Sequence, residues 1–187
     1  MAIGKANDAR STASEPREAA SHSGKPVPAY RLAKLIIKFI NNVAVTIDGD
    51  SAVAGRLKIV FLPNYSVTLA ERLIPAADVS NQISTAGYET SGTSNMKFMM
   101  NGALTLGTRD GTTIEMAEEA GEEHFFLFGL TAQQVADTRP WYNPHWHYDN
   151  EPEARAALDL ILSNYFSRHE PRIFRPLWDE LITLGDH

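Results

Sequence analysis

Short apolar runs, each closed by turn-forming residues and separated by stretches of helical spacing, constrain this chain more than any other feature. They are clearest at 57–62 and 125–128, while 79–83 and 103–106, which mix apolar with polar residues, are further possible strands. Runs with no polar alternation suit strands covered on both faces, as in a parallel sheet. Between them, Ser66 can cap a helix holding Val67, Leu69, Ala70, Leu73 and Ile74. A small-residue loop at 87–97 runs into Phe98, Met99 and Met100, and Thr112 or Thr113 opens a helix through Ile114, Met116 and Ala117. Strand–helix alternation at this spacing implies βαβ units, hence an α/β fold with a doubly wound parallel sheet.

The flanks read differently. Leu32, Leu35, Ile36, Phe39 and Ile40 recur at helical spacing over 30–43, and 153–164 and 174–184 read as amphipathic C-terminal helices. Residues 138–151 carry Pro140 and Pro144 with little periodicity, so a loop is expected. Its Trp141, Tyr142 and Trp146 are expected to pack that loop on the body, although aromatic faces also bind sugars. Residues 1–27 lack the apolar core of a secretory signal, and Asp8, Glu15 and Glu18 spoil a transit-peptide pattern. They read as a disordered leader, leaving 28–187 as the folded part.

Charge and composition exclude several functions. Against 17 Lys and Arg stand 23 Asp and Glu, a net charge of −6, so nothing compensates a nucleic-acid backbone or an anionic membrane. The most apolar stretch, 32–45, is interrupted by Lys34, Lys38, Asn41 and Asn42 and falls far short of a membrane span. Without cysteine there is no disulfide framework, thiol nucleophile or thiolate metal site. A cytoplasmic setting is the natural reading. His145 and His147 lack a third ligand at useful spacing, and the glutamates between Glu115 and Glu123 read as a solvated face, so no metal site is expected.

The chemically informative stretch is Ser91-Gly92-Thr93-Ser94-Asn95-Met96-Lys97. Small residues let backbone approach a ligand, and a helix starting at Thr93 or Ser94 would turn free N–H groups toward an anion such as phosphate. Lys97 would sit about one turn inside that helix, where an amine could condense with an aldehyde. An amine beside a phosphate anchor is what pyridoxal phosphate requires. The same residues also suit a surface lysine behind a polar cap. Glu89 could accept hydrogen bonds from sugar hydroxyls, or be a solvated loop acid.

The run from Glu89 to Thr108, with Tyr30-Arg-Leu-Ala-Lys-Leu-Ile-Ile-Lys, Pro63-Asn-Tyr-Ser-Val-Thr-Leu-Ala-Glu and Ile74-Pro-Ala-Ala-Asp-Val-Ser, resembles the α-glucan phosphorylases. Glu89-Thr-Ser-Gly-Thr-Ser-Asn-Met-Lys97 looks like that family's Glu-Ala-Ser-Gly-Thr-Gly-Asn-Met-Lys pyridoxal-phosphate signature. The resemblance implies two Rossmann-like domains facing a cleft (the GT-B arrangement), with this chain an incomplete part of the second, C-terminal, cofactor-binding domain. It assigns Lys97 to an imine with pyridoxal 5'-phosphate, Thr93 and Ser94 to the cofactor phosphate, and Tyr65 to the cofactor's border. Glu89, Ser91 and Gly92 would contact the glucosyl unit. The implied reaction is transfer of a terminal α-1,4-linked glucose to inorganic phosphate, giving glucose 1-phosphate.

Departures from the family pattern are Tyr88 for Thr, Thr90 for Ala, Ser94 for Gly and Thr113 for Asn. The substrate-side domain and the upstream part of the second domain have no counterpart in this sequence. Activity is therefore expected to need that missing partner, because a cleft with one wall neither excludes water nor orients two substrates. The alternative is a catalytically inactive truncated domain that binds the cofactor, itself or a phosphorylase.

Overall fold

The computed structural model describes residues 2–3, 31–53, 55–89 and 92–183. Most of the expected leader, and Thr90 and Ser91 of the signature loop, lie outside the described residues. In chain order the elements are β1 (Ala2–Ile3), α1 (Arg31–Asp48), α2 (Val67–Leu73), β2 (Val79–Gln82), α3 (Ser94–Met100), β3 (Leu104–Thr108), α4 (Gly111–Ala120), β4 (Phe125–Phe128), α5 (Ala132–Thr138), α6 (Pro144–Asn150), α7 (Pro152–Leu162) and α8 (Arg175–Ile182). They form two compact units, one from residues 62–140 with β1 and one from 31–61 and 141–183.

The first unit is α/β. Its sheet runs β1-β2-β3-β4, with β2, β3 and β4 parallel and β1 antiparallel at the edge. The register pairs Val79 with Leu104 and Thr105 with Phe125. β2–α3–β3 and β3–α4–β4 are two consecutive crossovers advancing in one direction. The right-handed rule then puts α3 and α4 on the same face, where they touch each other. Ser80, Thr105 and Phe125 are buried on one side of the sheet, while Leu104, Phe126 and Phe128 point the other way and remain exposed. In β3, Gly107 permits close packing: a Cβ there would lie 3.1 Å from the Gln82 carbonyl oxygen and 3.2 Å from the Thr113 methyl. Ile74, Ala77, Phe98 and Ala103 form the apolar cluster, with Ala70 and Leu73 against it.

The second unit is helical. Phe39 on α1 meets Phe166 and Phe174 edge-on, at centroid distances of 5.4 and 5.0 Å. Phe174 is fully buried just before α8, whose Leu177 and Ile182 are buried too. Asn42 donates its carboxamide to the Phe166 carbonyl at 2.6 Å, satisfying a loop acceptor beside this cluster. Tyr148 donates to Asp159 at 2.7 Å, tying α6 to α7. Its hydroxyl is held above the ordinary phenol range by that hydrogen bond first, with burial adding to the effect.

Three expectations are corrected. Residues 57–62 form no strand of a ladder among the described residues: an apolar pattern supplies faces to bury but does not by itself set the regular pairing of a strand. The 138–151 stretch is not all loop. Asn143 caps α6 by accepting the His145 N–H at 3.0 Å, and Pro144 occupies the first turn, where its missing donor costs nothing. Nor do Trp141, Tyr142 and Trp146 pack down; all three are exposed. No helix among the described residues is long and apolar enough to cross a membrane.

Phe174→Ala should destabilise the helical unit by about 3–5 kcal/mol, the usual cost of emptying a buried ring site. Equilibrium urea unfolding followed by far-ultraviolet circular dichroism measures this.

Candidate functional site

Helix α3 orients the residues singled out in the sequence. Asn95 and Phe98, three positions apart, are buried, and Phe98 sits among Ile74, Ala77 and Ala103. That anchoring fixes the helix's rotation and leaves Thr93, Lys97 and Asn101 along another stripe. Lys97 lines a hollow of about 600 Å³. Tyr65 and the α2 side chains Val67, Ala70 and Glu71 line it too, with Ile74, Pro75 and Asn101. Such a volume falls within the ~300–1,000 Å³ of small-molecule sites. Ser66, the N-cap of α2, accepts the Leu69 N–H at 3.3 Å and so helps hold that wall.

Glu89, Gly92 and Ser94 gather elsewhere in this unit, around a narrow cleft of about 30 Å³ shared with Gln82, Asn95 and Asp110. Ser94 donates its hydroxyl to the Gln82 carboxamide oxygen at 3.0 Å. The Asn95 carboxamide donates to the Thr112 and Thr113 hydroxyls at 2.8 and 3.1 Å, and Thr112 donates onward to the Gly92 carbonyl at 2.9 Å. This chain of bonds clamps the loop to the start of α4. Thr93 is exposed at the start of α3 and lines neither hollow. The structure thus brings Lys97 and Tyr65 together, brings Glu89, Gly92 and Ser94 together, and separates the two sets.

Asp110 is the organising residue that sequence reasoning passed over as a turn. It is buried, and its carboxylate accepts the Ser84 hydroxyl at 2.6 Å, the Gly87 N–H at 2.7 Å and the Glu89 N–H at 3.0 Å. Burial pushes its pKa up; the hydrogen bonds from Ser84, Gly87, Glu89 and Gly111 pull harder, and the net value lies below the ordinary 3.8. The available signal was an Asp directly before a helix. Its side chain makes no capping bond, however, and most of its hydrogen bonds come from the preceding turn.

Comparison with known proteins adds a class to this geometry. A family model described as carbohydrate phosphorylase matches residues 5–187, and the chain belongs to that family. Among curated relatives it is similar to a glycogen phosphorylase of Synechocystis sp., 52% identical over 162 residues, which is 86% of this chain and 19% of that protein. It is 50% identical over 163 residues to a glycogen phosphorylase of Chlamydia trachomatis, covering 87% of this chain and 20% of the relative. To the human brain form of glycogen phosphorylase it is 52% identical over 160 residues, 85% of this chain and 19% of that protein. The chain spans about one fifth of the length of these relatives.

Because the Asp110 pKa is lower folded than unfolded, the unfolded chain takes up this proton first as pH falls. Its contribution to stability is present above about pH 4 and is lost as pH drops through the native value. Asp110→Asn should cost about 1–3 kcal/mol at pH 7 and flatten this part of the stability profile. Urea midpoints for both proteins between pH 6 and pH 3 test it.

Proposed function

We propose that this chain is the cofactor-bearing portion of a cytoplasmic α-glucan phosphorylase, moving a terminal α-1,4-linked glucose onto inorganic phosphate to give glucose 1-phosphate. Residues 28–187 would then be part of the C-terminal pyridoxal-phosphate domain. The observation that carries this reading is the pairing of Lys97 with Tyr65 across one hollow, within a sequence whose family is carbohydrate phosphorylase.

The residues present fit the ring end of pyridoxal 5'-phosphate. An amine stands at one edge of the hollow and a phenol on its rim, and Val67, Ala70, Ile74 and Pro75 give an apolar lining for a flat heterocycle. Lys97 would anchor the aldehyde, and Tyr65 would border the ring. Thr93, one turn before Lys97 on the same stripe, would hold the phosphate with the backbone of Ser94, whose hydroxyl is engaged by Gln82. When bound, the cofactor supplies a phosphate that exchanges a proton with the substrate phosphate.

The sugar would fall to Glu89, Ser91 and Gly92. The Glu89 carboxylate accepts hydrogen bonds from hydroxyls, while Asp110 holds the Glu89 N–H and so fixes where that carboxylate starts. A Cβ at Gly92 would meet the Asn95, Thr112 and Glu89 side-chain oxygens at ordinary contact distances of 3.8, 3.8 and 3.9 Å, so packing does not demand glycine there. A glycine at this position would let a sugar approach the backbone closely. Preorganised donors and acceptors of this kind supply rate by meeting charge as it develops. The exposed side of the sheet, with Leu104, Phe126 and Phe128, favours a second reading in which the chain binds a phosphorylase without catalysing.

Incubation with pyridoxal phosphate, borohydride reduction and peptide mapping should place the label on Lys97, with none in Lys97→Ala. Label absent from Lys97 would reject the cofactor assignment. Glucose 1-phosphate formed from glycogen and phosphate by the purified chain, and lost in Lys97→Ala, decides for catalysis over the binding reading.

A further inference from the structure

Trp141, Tyr142 and Trp146 lie in one short stretch of the helical unit and stay 71%, 42% and 56% exposed. Single exposed apolar residues are ordinary, but a cluster of large aromatic side chains marks a binding surface. Their support is ordered. Asn143 caps α6, Pro144 is buried in its first turn, and His147 packs against Tyr142 and Trp146 at centroid distances of 5.6 and 5.2 Å. The His147 Nδ1 lies 2.7 Å from the Glu151 carboxylate, which fixes the imidazole between the two rings. The Tyr142 and Trp146 rings are thus held in place without being covered, so a ligand would lose little in ordering them.

The surroundings select the ligand's chemistry. Asp149, Glu151 and Glu153 are exposed on the same element or immediately after it, and the whole chain carries a net charge of −6. A polyanion stacking its bases here would face carboxylates. A purely apolar partner would strip water from them. A pyranose meets both constraints: its C–H face covers an aromatic ring, while its rim hydroxyls donate to carboxylates at the edge.

We infer that this surface is a binding platform for a neutral oligosaccharide, distinct in its residues from the hollow at Lys97. The identity of the sugar, a linear α-1,4-glucan, rests on the function proposed above. Such a platform raises the local concentration of a polymeric substrate without taking part in the reaction.

The test is affinity electrophoresis of the whole chain through native gels containing soluble amylose, paired with maltoheptaose titration of tryptophan emission. Two of the three tryptophans are in the platform, so emission should shift to the blue as sugar covers them. Binding should weaken at least fivefold in Trp146→Ala and in Tyr142→Ala, and return most of the way in Trp146→Tyr, which separates loss of the platform from misfolding. No retardation, retardation unchanged in both alanine variants, or equal binding of polyuridylate would overturn the inference. Labelling of Lys97 by pyridoxal phosphate is read on the same samples. Retardation without labelling rejects only the cofactor assignment, and labelling without retardation rejects only the platform.

Discussion

Because a buried carboxylate must collect hydrogen bonds or take a proton, Asp110 draws the Ser84 hydroxyl and the Gly87 and Glu89 N–H groups onto itself, and the turn after β2 takes its shape from that demand. Gly87 supports it by adopting a φ of +92°, open to glycine at little cost. The consequence reaches the candidate site directly. Glu89 and Gly92 face a common cleft only because this turn ends where Asp110 holds it, and Asn95 with Thr112 ties the following loop to the same helix start.

Around that constraint, α3 divides labour between its sides. Phe98 and Asn95 are buried, one by packing and one by hydrogen bonds to threonines, and Lys97 is left on the rim of an apolar hollow. The Thr113 departure from the family pattern is absorbed here, since its hydroxyl accepts from Asn95. The Ser94 departure is absorbed by Gln82 in a similar way, at the expense of a hydroxyl that would otherwise be free.

Much of the fold could be read from local pattern. Segments 79–83, 103–106 and 125–128 became the parallel strands because crossover helices of adequate length join them in turn, and Ser66 became the cap that its position before Val67 implied. The 57–62 run is apolar too but forms no ladder strand among the described residues, since regular pairing is set by long-range packing that no local pattern encodes. Helix α6 was missed because Pro144 reads as a breaker, whereas after an Asn cap it starts a helix. Of the candidate site, Lys97 and its loop were legible through the signature. Asp110 was not, because its partners lie more than twenty positions away in sequence.

By itself the sequence determined the α/β class of the first unit, the helical character of the second, the family and the lysine on which the proposed chemistry turns. All of these follow from short-range periodicity, capping and one contiguous motif. Tertiary structure alone decided that Lys97 shares a hollow with Tyr65 while Glu89, Gly92 and Ser94 share another cleft, and that Trp141 and Trp146 stay uncovered. The reason is physical: which residues meet across a hollow, and which faces keep their water, depend on long-range packing and on burying a charge, and no window of neighbouring residues contains either.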